Sequence, residues 1–245
     1  MIGLNTKYLF FDIDGTLAHG GGVVTDGNKK AILKVKEQGH KVFLNTGRSL
    51  ANIPDTTLNA LEWDGIVAGT GYVEYAGEVI YLKTMPAAAL EELYQYCTEK
   101  GFELLFEGVE KLYTNEHNDW SDFIADQRPF SDEMKVTNVT VGAVLPKEDL
   151  CRFKESKIVC LPDYFEAYNI GHGKDTGIRI LEEHCGIPNE DTIAFGDSMN
   201  DLEMLQYAGT AVVMNSAPAE LRDIADICTT KDDGVAEALE IIFGI

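Results

Sequence analysis

The chain has 245 residues, 45% of them hydrophobic and 25% charged, and a formal net charge of −21. That length accommodates one large domain or a core with an insert, and the composition is ordinary for a soluble globular protein. The negative field disfavours nucleic acid and anionic lipid as partners, and no apolar run approaches the roughly 20 residues that a membrane helix needs.

In chain order, YLFFDI (8–13) and KVFLNT (41–46) read as buried strands, apolar with little alternation. Between them TDGNKKAILKVKEQG (25–39) begins at a capping Thr/Asp and ends at Gly39, as a helix does. A helix is expected near 50–61 and a strand near 65–68, which together make βαβ units and a parallel sheet. EYAGEVIYL (74–82) reads as a hairpin around Ala76-Gly77, and PAAALEELYQYCTEKG (86–101) as a helix with proline near its start. Residues 102–115 read as a strand pair, 136–145 as a strand, and the alternating YFEAYNIG (164–171) as the return to the core. The strand–helix pattern then resumes: helices at 174–186, 199–209, 218–225 and 234–244, strands at 191–197, 210–215 and 225–230.

The expected fold is therefore α/β: a Rossmann-like, doubly wound parallel-sheet core at 1–82 and 164–245, with an α+β insert at 83–163. The first 14 residues place acids straight after a short apolar run, unlike a signal peptide, so a cytoplasmic location is expected. Five cysteines form no CxxC, which argues against a disulfide framework and a structural zinc site.

Ligands of open parallel sheets bind at the carboxyl ends of the strands. Those ends carry Asp12-Ile13-Asp14-Gly15-Thr16, Thr46-Gly47-Arg48 and Gly196-Asp197-Ser198-Met199-Asn200-Asp201, with Lys174 opening the helix before the last strand. Each alone has a plain reading: a capped turn, a strand-to-helix turn, an N-cap cluster. Lys174 is the misfit, because a helix N-terminus is already positive. Together they make chemical sense. Asp12 and Asp197 can supply the hard oxygen ligands that Mg2+ takes. Magnesium, a lysine and hydroxyl or amide donors would surround a phosphoryl group, with one carboxylate attacking and the other moving a proton.

DxDGT, a Thr before Gly-Arg, a downstream Lys and GDSMND resemble the four motifs of the haloacid dehalogenase superfamily. The arrangement is similar to its Cof-type phosphatases, with a subclass IIB cap between the second and third motifs, and covers nearly the whole chain. The resemblance implies a Mg2+-dependent phosphatase of small phosphorylated metabolites, such as sugar phosphates, with no obligate protein partner in evidence. It implies Asp12 as the nucleophile and metal ligand, and Asp14 as general acid and base whose carbonyl also ligates Mg2+. Thr46 and the Gly47 amide would hold the phosphoryl group, and Lys174 would neutralise it. Asp197 would ligate Mg2+, Asp201 would support the metal site, and Asn200 would contact the phosphate or orient Lys174. Gly20-Gly21-Gly22 lies where the family has a mobile flap. Two departures are Asp175, where relatives often have glycine, and a rather short insert.

A phosphomutase of the same superfamily would use the same residues, and a silent phosphometabolite-binding protein would share the scaffold. GTG at 69–71 fails the dinucleotide fingerprint because position 74 is Glu. His172 reads as a surface-loop histidine, and Tyr113, Trp120 and Arg128 as packing or rim residues of the insert.

Overall fold

The computed structural model of the protein describes residues 5–245. Strand β1 (Tyr8–Phe11) leads into helix α1 (Asp26–Glu37), β2 (Lys41–Thr46), the short helix α2 (Asp55–Leu58) and β3 (Gly65–Ala68), and then a hairpin of β4 (Tyr72–Tyr75) and β5 (Glu78–Leu82). The middle of the chain holds α3 (Ala87–Lys100), β6 (Leu104–Gly108), β7 (Leu112–Thr114), β8 (Asp122–Phe123), β9 (Val136–Val141), β10 (Lys157–Cys160) and β11 (Phe165–Tyr168). The last third runs α4 (Lys174–Cys185), β12 (Thr192–Gly196), α5 (Leu202–Tyr207), β13 (Thr210–Val213), α6 (Ala219–Arg222), β14 (Ile227–Cys228) and α7 (Gly234–Phe243).

Eight strands form one sheet in the order β14-β13-β12-β1-β2-β3-β4-β5, parallel from β14 to β3 and closed at one edge by the antiparallel hairpin. The two-residue period of a strand sorts its side chains to two faces. Leu9 and Phe11 join Ile32 and Val35 of α1 and Val235 and Leu239 of α7 in one core layer. Phe10 points the other way, stacks on Phe43 with centroids 4.9 Å apart, and joins Ile178 and Leu181 of α4 and Met204 and Leu205 of α5. Each such buried phenylalanine contributes about 1.5–3 kcal/mol. Helices on both faces explain why β1 is apolar throughout, and they make the expected doubly wound core.

A second sheet of six strands runs β10-β11-β9-β6-β7-β8. Its alternation is also two-sided. Leu104, Phe106, Val139, Val141, Phe165 and Ala167 pack under Leu90, Leu93 and Tyr96 of α3. The residues between them, Leu105, Glu107, Thr140 and Glu166, face the first sheet across a cavity. In this second sheet Leu105 and Glu166 both lie opposite Thr140.

The expected core boundary at 164 is displaced by this sheet. β11 pairs with β9 and β10, and Phe165 and Ala167 complete the apolar layer under α3, so the strand belongs to the insert. The chain crosses between the sheets at two adjacent points, tied where Asn169 Nδ2 donates to the Lys83 carbonyl at 3.3 Å. Other elements also differ from expectation. The helix expected at 50–61 is a 3-10 turn at Leu50–Asn52 followed by α2, because Pro54 cannot donate to a continuing helix and leaves Ile53 extended. The helix expected at 199–209 begins as a 3-10 turn at Met199–Asp201. β8 and β10 are not among the expected strands: β8 is two residues long, and β10 shows no two-sided alternation of burial. Among the described residues no helix is long and apolar enough to cross a membrane.

Candidate active site

β1, β2 and β12 are adjacent and parallel, so their carboxyl ends bring Asp12, Thr46-Gly47-Arg48 and Asp197 to one rim. Lys174 opens α4 beneath that rim with its side chain buried. Asn45 Nδ2 donates to the Lys174 carbonyl at 2.9 Å and fixes the start of the helix. The lysine Nζ lies 2.7 Å from Asp12 Oδ1 and 2.6 Å from Asp201 Oδ1. Asp201 Oδ2 accepts from the backbone N–H groups of Asp197 at 2.9 Å and Ser198 at 3.0 Å, which shapes the loop after β12. Gly15 has φ of +84°, and a Cβ there would fall 2.1 Å from Asp197 Oδ2, so only glycine lets these two loops meet.

Lys174 pairs with two buried carboxylates, Asp12 and Asp201, and the half-buried Asp197 stands beside them. Burial opposes the Lys174 charge, but Asp12 and Asp201 outweigh it and hold the ammonium above the usual lysine value. Burial pushes Asp12 well above the usual carboxylate range, against Lys174 and helped by Asp201 and Asp197. Burial and the neighbouring Asp201 charge push Asp197 up to about 7. Oxygens of Asp12, Asp197 and Asp201 lie within 4.8 Å of one another, and Asp197 Oδ1 is buried without a hydrogen-bond partner. An all-oxygen set with surplus negative charge and an orphaned carboxylate oxygen fits a hard divalent cation such as Mg2+. Both Asp201 oxygens are engaged, which leaves Asp12 and Asp197 as the carboxylates able to face an ion.

Asp14 borders the same cavity as Asp12 and forms an ion pair with Arg48, 2.6 Å from Nε. The Asp14 interaction holds the Arg48 guanidinium above its usual value against the effect of burial. Thr46 is buried, and its hydroxyl accepts from the Arg48 N–H at 3.2 Å. Asn200 does not reach Lys174. Its Nδ2 donates to Glu166 Oε2 at 3.2 Å and its Oδ1 accepts from the Ser198 hydroxyl at 2.8 Å, so it orients the rim against the second sheet and not the lysine.

Asp12, Asp14, Thr46, Gly47, Arg48, Asp197 and Asn200 border one cavity of about 530 Å³ between the two sheets. Sequence reasoning gave Arg48 no role beyond its place in Thr46-Gly47-Arg48 and did not single out Glu107, Tyr164 or Glu166, which border the cavity as well. The signal for the two glutamates was present: each is a carboxylate inside an otherwise apolar strand, LLFEG and FEAY. Glu107 is braced by the Ser49 N–H at 3.1 Å, Asn52 Nδ2 at 2.8 Å and the Thr140 hydroxyl at 2.6 Å. The other residues weighed from sequence lie elsewhere. His172 meets the Tyr81 hydroxyl at 2.8 Å, Tyr113 packs in the insert's core, Trp120 is exposed, and Arg128 pairs with Glu91 at 2.5 Å. Gly20, Gly21 and Gly22 form a turn whose end, the Gly22 carbonyl, is held by the Thr56 and Thr57 hydroxyls.

The chain is 29% identical over 262 residues to YkrA of Bacillus subtilis (strain 168), covering 97% of this chain and 98% of that one. It is 25% identical to the 5-amino-6-(5-phospho-D-ribitylamino)uracil phosphatase YitU of the same organism, covering 96% of each. The solved structure of the HAD subclass IIB sugar phosphatase BT4131 superposes with a TM-score of 0.83 at 26% identity, covering 98% of this chain and 100% of that one. A family model for haloacid dehalogenase-like hydrolases matches residues 9–239, and the chain belongs to that family.

Proposed function

We propose that this haloacid dehalogenase-like phosphatase hydrolyses phosphomonoesters of small metabolites, sugar phosphates among them, through an aspartyl-phosphate on Asp12 with Mg2+ as cofactor. The observation that carries the reading is the buried Asp12–Lys174 pair, 2.7 Å apart at the carboxyl end of β1, opening on a cavity large enough for a small metabolite. Similarity to the sugar phosphatase BT4131 supports the substrate class.

Asp12 attacks phosphorus: its oxygen forms a bond to phosphorus as the bond to the leaving alkoxide breaks. Asp14 gives that alkoxide a proton, then takes one from the water that attacks phosphorus and releases phosphate from Asp12. The Thr46 hydroxyl and Gly47 N–H hold the phosphoryl oxygens, and Lys174 offsets the charge of nucleophile and phosphate. Mg2+ would be held by Asp12, Asp197 and the Asp14 carbonyl, where it would neutralise charge on the phosphoryl oxygens. Asp201 keeps Lys174 and the 197–198 loop in place.

The test is a panel of phosphorylated metabolites assayed for inorganic phosphate with and without Mg2+. The expected result is Mg2+-dependent phosphate release from several sugar phosphates. Return of a phosphorylated isomer in place of phosphate would identify a mutase, and no turnover of any member would overturn the reading.

A further inference from the structure

The wall of the cavity opposite the Asp12–Lys174 pair is acidic. It comes from the inner face of the six-stranded sheet, where Glu107 and Glu166 stand among Leu105, Leu161 and Tyr164. Among the described residues bordering the cavity, the single lysine or arginine is Arg48, and it is committed to Asp14. No lysine or arginine among these described residues is therefore free to pair with a second anionic group.

The two glutamates differ in what they have free. Glu107 uses both oxygens, on Ser49, Asn52 and Thr140. Glu166 is buried, and its Oε2 takes the Tyr168 hydroxyl and Asn200 Nδ2. Its Oε1 is left over and sits directly above the phosphoryl-binding turn, 3.3 Å from where a Cβ on Gly47 would be. The oxygen is therefore fixed in direction by two donors on its twin, and Glu166 borders the same cavity as Asp12.

We propose that Glu166 is the specificity-determining residue of this site. Its Oε1 accepts a hydrogen bond from a hydroxyl or ammonium group on the leaving group, and the acidic wall rejects leaving groups that carry a carboxylate or a second phosphate. The inference rests on the phosphatase reading above and narrows it to neutral or cationic, donor-bearing leaving groups. A desolvated like-charge pair is strongly unfavourable, and a buried acceptor left unpaired discriminates against analogues that lack its donor.

The experiment compares matched pairs that differ in one acidic group: glucitol 6-phosphate against 6-phosphogluconate, and glycerol 1-phosphate against 3-phosphoglycerate. p-Nitrophenyl phosphate, whose leaving group lacks both a donor and an acid, reports on the phosphoryl end alone. Wild-type enzyme should favour the neutral member of each pair by about 10-fold or more in kcat/KM. Glu166→Gln removes the charge and keeps an acceptor oxygen, so it should raise kcat/KM for the acidic members and shrink the preference by about 10-fold. Turnover of p-nitrophenyl phosphate with a wild-type preference near one, or a preference unmoved by Glu166→Gln, would overturn the inference and leave the phosphatase reading standing. Absence of Mg2+-dependent turnover of all five compounds would overturn both. Should Glu166→Gln not fold, Glu166→Asp, which keeps the charge but withdraws the oxygen, should lower kcat/KM for the neutral members, and an unchanged value would overturn the inference.

Discussion

Arg48 donates to both carboxylate oxygens of Asp14, Nε to Oδ2 at 2.6 Å and Nη2 to Oδ1 at 2.9 Å. A two-pronged guanidinium pair fixes a carboxylate in direction as well as in place. The same arginine donates through Nη1 to the Asn52 carbonyl at 3.2 Å, and Asn52 Nδ2 donates to Glu107 of the insert at 2.8 Å. The proposed acid and base is thus linked through Arg48 and Asn52 to the wall that covers it. Arg48→Ala should lower kcat about 10- to 100-fold with a smaller change in KM, since a misplaced proton donor slows chemistry more than binding. Arg48→Lys should recover only part of the loss because it cannot form both bonds. Steady-state kinetics on one sugar phosphate checks this, and an unchanged kcat in Arg48→Ala would remove the positioning role.

The metal reading predicts a change in stability as well as in rate. Three carboxylate groups lie within 4.8 Å of one another with surplus negative charge, so an ion bound to the folded state alone raises its stability by mass action. Adding Mg2+ to EDTA-treated protein should raise Tm and restore turnover, and Asp197→Asn should abolish the Tm rise. Thermal melts across a Mg2+ titration measure it. A Tm indifferent to Mg2+ in the wild type would count against the site.

Gly177 tests how packing reaches the chemistry. It lies one turn into α4 after Lys174, and a Cβ there would fall 2.3 Å from Val67 Cγ1 of β3. Gly177→Ala would push α4 off the sheet, an overpacking cost of roughly 1–3 kcal/mol. It should lower Tm and kcat together, because Lys174 moves with the helix. Adding Val67→Ala should recover part of both. Melts and kinetics of the single and double variants decide, and a fall in Tm with full kcat would separate the helix position from catalysis.

Stability at low pH has a local contribution at Asp64. Burial raises its carboxyl pKa, but donors from Lys41, the Val42 N–H and Lys36 prevail and hold it below the unfolded value of 3.8. A carboxylate with a depressed folded pKa stabilises above its unfolded pKa, and that stabilisation is lost as pH falls through the folded one. Asp64→Asn should cost on the order of 1 kcal/mol at pH 7, a figure reduced by the solvent screening of a half-buried group. The gap between variant and wild type should close as pH falls below 3.8. Denaturant melts at several pH values measure the gap, and a gap constant with pH would contradict the assignment.

Much of this architecture was legible because strands and helices announce themselves by period. β1 and β2 are apolar on both faces, and α1 and α4 each end near a glycine, so the doubly wound core followed. The residues at the strand ends were legible because acids and lysine are misfits where a buried strand opens. Pairings were not. FEAY reads the same whether β11 joins either sheet, and only its register against β9 and β10 places it in the insert. Asn200 could be drawn toward the lysine by motif order alone, yet Glu166, more than 30 residues upstream, captures it. Arg48 was visible in Thr-Gly-Arg but its partner was not, since the Asp14 pair spans a separation of 34 residues.

The central claim is covalent: the phosphoryl group passes through Asp12. Acid quench during turnover of a sugar phosphate, followed by mass measurement of the peptide carrying residue 12, tests it directly. Asp14→Asn should aid the trap, because it slows the water attack that clears the intermediate. The account predicts a phosphoryl group on Asp12, and no turnover in Asp12→Asn despite a preserved fold. An unmodified Asp12 in the trapped Asp14→Asn enzyme, together with substantial turnover by Asp12→Asn, would contradict it.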